Sequence, residues 1–221
     1  MKYKGVYCTE NNLNLDVSLI VLAGGKGSRL GQEKAWVRVE NRTLLERSIS
    51  RLGSVVNRII VVRAPGQVLP PLSAGNHIKI VIDEYPNKGP LVGIYSGLKA
   101  SGERGGLVTA CDMPFVEPGL ARHLISLSPG FDIVMPVRRA MYEPLFAFYS
   151  GRCIGLIGKM ISEGSLKIDR LLDKVKVRLV EQEELDRYDA EGLSFFNIND
   201  RVDLEKARVI AGRLQDRASE L

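Results

Sequence analysis

Apolar positions along this chain fall into short β-branched runs separated by helical stripes. Val17 to Leu22, Arg58 to Val62, Ile78 to Ile82, Leu107 to Cys111 and Asp132 to Pro136 read as strands, each bounded by Gly, Pro or acidic residues. Trp36 to Val39 reads as a brief extended piece, and Asn41-Arg42 turns the chain. Thr43 then stands as an N-cap with Glu46 three residues on, the spacing of a capping box. Leu44, Leu45, Ile49 and Leu52 make one helical face, which Gly53 ends. Gly89-Pro90 opens a helix through about Ala100, with Pro90 suited to the first turn. Further helices are predicted at Glu117 to Leu127, Arg152 to Ser162 and Leu166 to Leu172. Glu143 to Tyr149 reads as a sixth strand and Val175 to Val180 as a half-exposed one. Phe195 to Asn199 reads as a short strand or extended loop. Arg201 to about Leu214 reads as an amphipathic helix with Val202, Leu204, Ala207 and Ile210 toward the core.

Strands alternating with helices predict an α/β fold, a parallel sheet covered on both faces and joined by right-handed crossovers. Ligands in such sheets lie at the carboxyl ends of the strands. The glycine-rich stretch after the first strand, Asp83 and Asp112 all fall at predicted strand ends, so they share one edge although far apart in sequence. Residues 17–214 are expected to form a single domain, after a loose polar leader (1–16) and before a frayed tail (215–221).

The chain has 221 residues, of which 45% are hydrophobic and 26% charged, the balance of an ordinary globular protein. Its formal net charge of +5 suits a polyanionic small molecule. Nucleic acid is disfavoured, since no dense Lys/Arg run interleaves with aromatics and a single Trp is present. Cys8, Cys111 and Cys153 match no zinc or disulfide spacing, which points to a reducing, cytoplasmic compartment. No signal-peptide core and no run of membrane-spanning length is seen, so no membrane partner is expected. His77 and His123 suggest no metal or triad geometry, and Cys111 reads as a small buried hydrophobe.

Chemistry concentrates in Val21-Leu22-Ala23-Gly24-Gly25-Lys26-Gly27-Ser28-Arg29-Leu30-Gly31-Gln32-Glu33-Lys34. Glycines after a buried strand, with Lys26, Arg29 and Lys34 beside them, make a cradle for phosphate. It is neither a P-loop nor the dinucleotide fingerprint, whose glycine spacing it exceeds by one residue. Asp112, just past the fourth strand, is suited to a magnesium ion that also binds substrate phosphates, or to capping the following turn. Asp83, at the end of the third strand, offers a carboxylate to hydrogen-bond donors of a ligand, or caps a loop.

The pattern Leu22-Ala23-Gly24-Gly25-x-x-x-Arg29-Leu30-Gly31-x-x-Lys34 resembles the signature of the molybdenum cofactor guanylyltransferases, with Leu30 where the family has Met and Glu33 where it has Asp. Asp83 followed by Gly89-Pro90-Leu91-Val92-Gly93-Ile94, and Asn197-Ile198-Asn199, resemble further family segments. Glu143-Pro144-Leu145 resembles one that lines the acceptor pocket. One departure bears on base choice: Arg63 stands where many guanylyl members carry Asn.

The resemblance, from about Val17 to Ile210, implies a three-layer α/β/α sandwich, a Rossmann-like nucleotide-diphospho-sugar transferase fold with a mostly parallel sheet and one antiparallel strand. It implies transfer of GMP from GTP to molybdopterin, with Mg²⁺ as cofactor and pyrophosphate as product. Arg29, Lys34 and Asp112 are the implied catalytic residues, with Asp112 holding the metal. Leu22, Ala23, Gly24, Gly25, Lys34, Asp83, Gly89, Gly93 and Asp112 are the implied nucleotide contacts, and Asn197 and Asn199 the acceptor contacts. Molybdenum-insertion proteins and apo-molybdoenzymes are the implied partners. Two alternatives stand beside this reading: a cytidylyltransferase or sugar-phosphate nucleotidyltransferase of the same superfamily, and a catalytically silent nucleotide-binding regulator.

Overall fold

The structure, a computed structural model, describes residues 16–25, 27, 29–72 and 78–219. Positions 1–15, Lys26, Ser28, residues 73–77 (with His77) and residues 220–221 lie outside the described residues, so the readings made of the leader, of Lys26, of His77 and of the end of the tail are not addressed there.

The described elements, in chain order, are strands β1 (Ser18–Leu22), β2 (Arg38–Val39) and β3 (Arg42–Thr43), helix α1 (Leu44–Leu52), β4 (Arg58–Arg63), β5 (Ile78–Ile82), α2 (Pro90–Ser101), β6 (Gly106–Ala110), α3 (Pro118–Ser126), β7 (Ile133–Arg138), β8 (Met141–Tyr142), β9 (Phe146–Tyr149), α4 (Cys153–Ser162), α5 (Asp169–Leu172), β10 (Val177–Val180), α6 (Gln182–Leu185) and α7 (Arg201–Ser219). The main sheet runs β10-β7-β9-β6-β1-β4-β5, with β8 paired to β7. Every neighbouring pair is parallel except those of β9, which runs antiparallel to β6 and β7, and of β8. This is the expected mostly parallel α/β/α sandwich with its antiparallel strand.

The pleat sends alternate residues of each strand to opposite faces. Leu19, Val21, Ile59 and Val61 join α3 residues Leu120, Ala121 and Leu124 in one apolar layer. Ile20, Ile60 and Val62 join Leu91, Ile94 and Leu98 of α2 in the other. A third cluster of Leu30, Val37, Val39, Leu44, Phe115, Ile198, Ala207 and Ala211 fastens the glycine loop and its sequel to α7. Thr43 and Glu46 form the predicted capping box, the Thr43 Oγ1 accepting from Glu46 N and Glu46 Oε2 accepting from Thr43 N at 2.7 Å.

Several local expectations differ from the structure, among them the sixth strand, which starts at Phe146 after a turn at Pro144-Leu145, and the helix read from Leu166, which starts at Asp169. Lys34–Trp36 is a single 3-10 turn, so the extended piece shrinks to β2. Phe195 to Asn199 is not a strand: Leu193–Phe195 is a 3-10 turn and the rest is loop. Val202 is 62% exposed, because it lies five helical positions before the buried Ala207 and so is turned well off the face that Ala207 and Ala211 share. Finally, α7 continues past Leu214 to Ser219, where Arg213 and Arg217 both meet the Glu191 carboxylate.

Candidate active site

β1 is the switch point of the sheet: the chain adds β4 and β5 on one side of it and β6 on the other. Loops leaving β1 and β6 therefore part in opposite directions, opening the crevice where such folds hold ligands. A cleft of about 430 Å³ lies there. Leu22, Gly24, Gly25 and Lys34 line one wall, Asp83, Asn87, Gly89 and Gly93 another, and Cys111, Asp112 and Leu145 close it.

Backbone bonds carry β1 and β6 into the cleft. Ala23 N donates to Val62 O at 2.8 Å and Cys111 N to Leu22 O at 3.1 Å. The glycine loop has no room for a side chain at Gly27, where a Cβ would stand 1.9 Å from the Gln32 carbonyl oxygen. The loop is clamped from β4 by Gln67, a buried side chain whose Nε2 donates to Ala23 O and whose Oε1 accepts from Ala64 N, both at 2.9 Å. Arg63 donates to the carbonyls of Ala64 and Gln67 and so braces this clamp. Beyond the loop, the Trp36 indole donates to Val68 O at 2.7 Å and fixes the turn that begins with Lys34.

Lys34 is the centre of the site. Its ammonium donates to Asp112 Oδ2 at 2.5 Å and to Asn199 Oδ1 at 2.8 Å. About 15% of each ion-pair side chain is exposed, so water screens the pair little. Asp112 Oδ1 is buried and has no hydrogen-bond partner among the described residues. A buried carboxylate oxygen without a donor is costly unless something cationic completes it. Among the described residues no group of three or more His, Cys, Asp or Glu is placed to hold a metal. The donor set suits a cation that takes one carboxylate and draws its other ligands from phosphate and water, as magnesium does. Cys111 beside it is buried, and burial, with the neighbouring Asp112 charge, pushes its thiol pKa well up, so it is no nucleophile.

The remaining expected residues are distributed as follows. Asp83 lines the cleft, and its Oδ1 accepts from Tyr85 N at 3.1 Å and Ser96 Oγ at 3.3 Å; its loop is thereby tied to α2. Gly89 caps α2 with φ of +89°, a conformation L side chains rarely adopt, and Gly93 packs its Cα face on Leu22. Ala23 is fully buried and contributes its backbone rather than a cleft surface. Arg29 is exposed in the turn after the loop and is not among the described residues lining the cleft. Asn197 and Asn199 are not brought to one face: Asn197 Nδ2 turns back to Phe195 O at 3.1 Å, whereas Asn199 reaches Lys34. The loop lacks the alternation by which a strand would bring both amides to one side. Sequence reasoning missed Gln67, Trp36 and Ser96, whose roles depend on contacts across the fold.

A family model described as the MobA-like NTP transferase domain matches residues 19–180. The chain is 35% identical to a probable molybdenum cofactor guanylyltransferase of Pelotomaculum thermopropionicum over 89% of this chain and 94% of that one. It is 32% identical to the molybdenum cofactor guanylyltransferase of Desulfosudis oleivorans over 90% of this chain and 98% of that one. Among solved structures, molybdopterin-guanine dinucleotide biosynthesis protein A from Archaeoglobus fulgidus superimposes with a TM-score of 0.74 at 29% identity, covering 89% of this chain and 100% of that one.

Proposed function

We propose, for a chain that belongs to the MobA-like NTP transferase family and there to the molybdenum cofactor guanylyltransferases, that it transfers GMP from GTP to the terminal phosphate of molybdopterin. An acceptor phosphate oxygen attacks the α-phosphorus. The bond between that phosphorus and the oxygen leading to the β-phosphorus breaks, and pyrophosphate leaves. No covalent enzyme intermediate is needed, so the protein's task is to hold two anions in line and offset the charge they bring together.

The observation that carries this reading is the meeting of Lys34, Asp112 and the Gly24-Gly25 backbone in one cleft at the sheet's switch point. Backbone N–H groups of the loop bind the triphosphate, and Lys34 stabilises the charge that develops during transfer. Arg29 adds positive potential at the mouth. Asp112 would hold Mg²⁺ through its unpaired Oδ1, and the ion when bound supplies Lewis-acid stabilisation of phosphate charge. Asp83 reads the guanine edge, and Gly89 and Gly93 give the base and ribose room. The loop that carries Asn197 and Asn199 borders the space left for the acceptor. No helix among the described residues is long and apolar enough to cross a membrane, and we place the reaction in the cytoplasm, with molybdenum-insertion proteins and apo-molybdoenzymes as partners.

The test is kcat/KM for GTP, CTP, ATP and UTP with molybdopterin, for the wild type and Asp83→Ala. GTP is expected to be preferred, with Asp83→Ala narrowing the preference more than it weakens triphosphate binding, because a base that sets an acceptor against the carboxylate loses the donor pair guanine supplies. A wild type that favours CTP moves the chain to cytidylyl transfer. A variant that keeps the full preference removes Asp83 from base recognition.

A further inference from the structure

The Asn199 amide has a fixed sense. Lysine ammonium only donates, so the atom facing Lys34 Nζ at 2.8 Å is the amide oxygen. Nδ2 therefore points away, and among the described residues nothing accepts from it. The loop carrying Asn199 is fastened at both sides. Ile198 N donates to Asp112 O at 3.0 Å, and Asn199 N donates to Asp203 Oδ2 at 3.1 Å, inside the first turn of α7. The Ile198 side chain is fully buried in the third apolar cluster with Leu30 and Val37, which flank the Lys34 segment.

From this geometry we infer that Asn199 is a positioning residue for Lys34, holding the ammonium between its Oδ1 and Asp112 so that the amine meets the transferring phosphoryl group without searching for its place. A long flexible lysine side chain loses much rotamer freedom when fixed. A single ion pair leaves it free to swing about Asp112; a second acceptor on a separately anchored loop removes that freedom. Backbone contact between Ile198 and Asp112 makes the two acceptors move as one. The inference rests on the proposed nucleotidyl transfer for its kinetic consequence but not for its structural one.

Two measurements separate these. The first needs no substrate: full-length wild type, Asn199→Ala and Asn199→Asp are exposed to an amine-acylating reagent, and modification of Lys34 is followed by peptide mass spectrometry, with the 72% exposed Lys159 as internal reference. Lys34 is expected to react severalfold faster in Asn199→Ala and close to the wild-type rate in Asn199→Asp, which keeps an acceptor oxygen. An unchanged rate in Asn199→Ala overturns the inference whatever the enzyme's reaction is. In the second, turnover of GTP and molybdopterin is compared. Asn199→Ala is expected to lower kcat by roughly tenfold to a hundredfold with KM for both substrates little changed, as for a catalytic group slightly misplaced, and Asn199→Asp to recover much of it. A raised molybdopterin KM with unchanged kcat overturns the positioning role in favour of direct acceptor contact. Absence of turnover in the wild type counts against the proposed function, and the acylation result then decides the inference alone.

Discussion

At the scale of single residues, the cleft is governed by how few charges it contains and how each is held. Asp112 uses one oxygen for Lys34 and keeps the other unpaired, so neutralising the carboxylate removes both roles at once. Asp112→Asn is expected to lower turnover by about 10² to 10³, on the order of losing a principal electrostatic contact, with Mg²⁺ titration and thermal unfolding showing lost activation in a folded protein. Unchanged metal-dependent turnover would remove Asp112 from the chemistry. Lys34→Ala should lower kcat and kcat/KM together, as expected for an interaction that strengthens during transfer, and should do so more than Lys26→Ala. The reverse ranking would show that the catalytic lysine was misassigned. Both Lys34 and Asp112 were legible in the sequence because each sits in a short motif next to a buried strand. Asn199's contact was not, since it joins residues 165 positions apart and no local pattern encodes it. Nor was the retreat of Asn197, which requires knowing that its segment is loop.

Elements in this fold form where local preference and tertiary demand coincide. The capping box of α1 was readable because Thr43, Glu46 and the apolar face beyond them are contiguous, and Thr43→Ala is expected to cost about 1 kcal/mol, seen as a lowered Tm with turnover retained. The same box has a pH signature. The Thr43 backbone N–H bonded to Glu46 holds that carboxyl below the usual range, with Arg38 and Arg42 adding to it. A depressed carboxyl contributes stability above its unfolded pKa, and this is lost as pH falls through the folded value. Wild type should therefore shed this increment on acidification below the usual glutamate range of about 4.3, and Glu46→Gln should show a shallower acid limb in urea unfolding. An identical limb would show that the carboxylate contributes nothing there. The β7–β8 hairpin, by contrast, was illegible. Its turn places Arg139 and Ala140 at positive φ, where Gly or Asn is the usual signal.

Across the whole molecule, three apolar clusters divide the labour. Two sandwich the sheet, and the third couples the glycine loop to α7 through Leu30, Val37, Ile198 and Ala207. Parallel strands and their flanking helices were legible because each apolar run is continuous and bounded, even that of the exposed edge strand β5. The join between α7 and the front of the site was not, because α7's sequence shows an apolar stripe without its partner, and Val202 blurs the stripe's register. Ala207 is fully buried at this join. Ala207→Leu is expected to cost about 1 to 3 kcal/mol by overpacking and to lower kcat with Tm, whereas Glu191→Ala, which removes exposed ion pairs that water screens, should leave turnover unchanged. Equal effects of the two would refute a mechanical link between α7 and the cleft.

The bond from Ile198 N to Asp112 O has a consequence in time. A ribosome delivers this chain from its amino end, so the phosphate loop, Lys34 and Asp112 emerge and can begin to fold long before Asn199 exists. During that interval the lysine has one holder, and the turn after β6 lacks its bond from Ile198. The site thus acquires this arrangement only once Asn199 has been made, and a chain interrupted before it would carry the recognisable front of the site without the second acceptor.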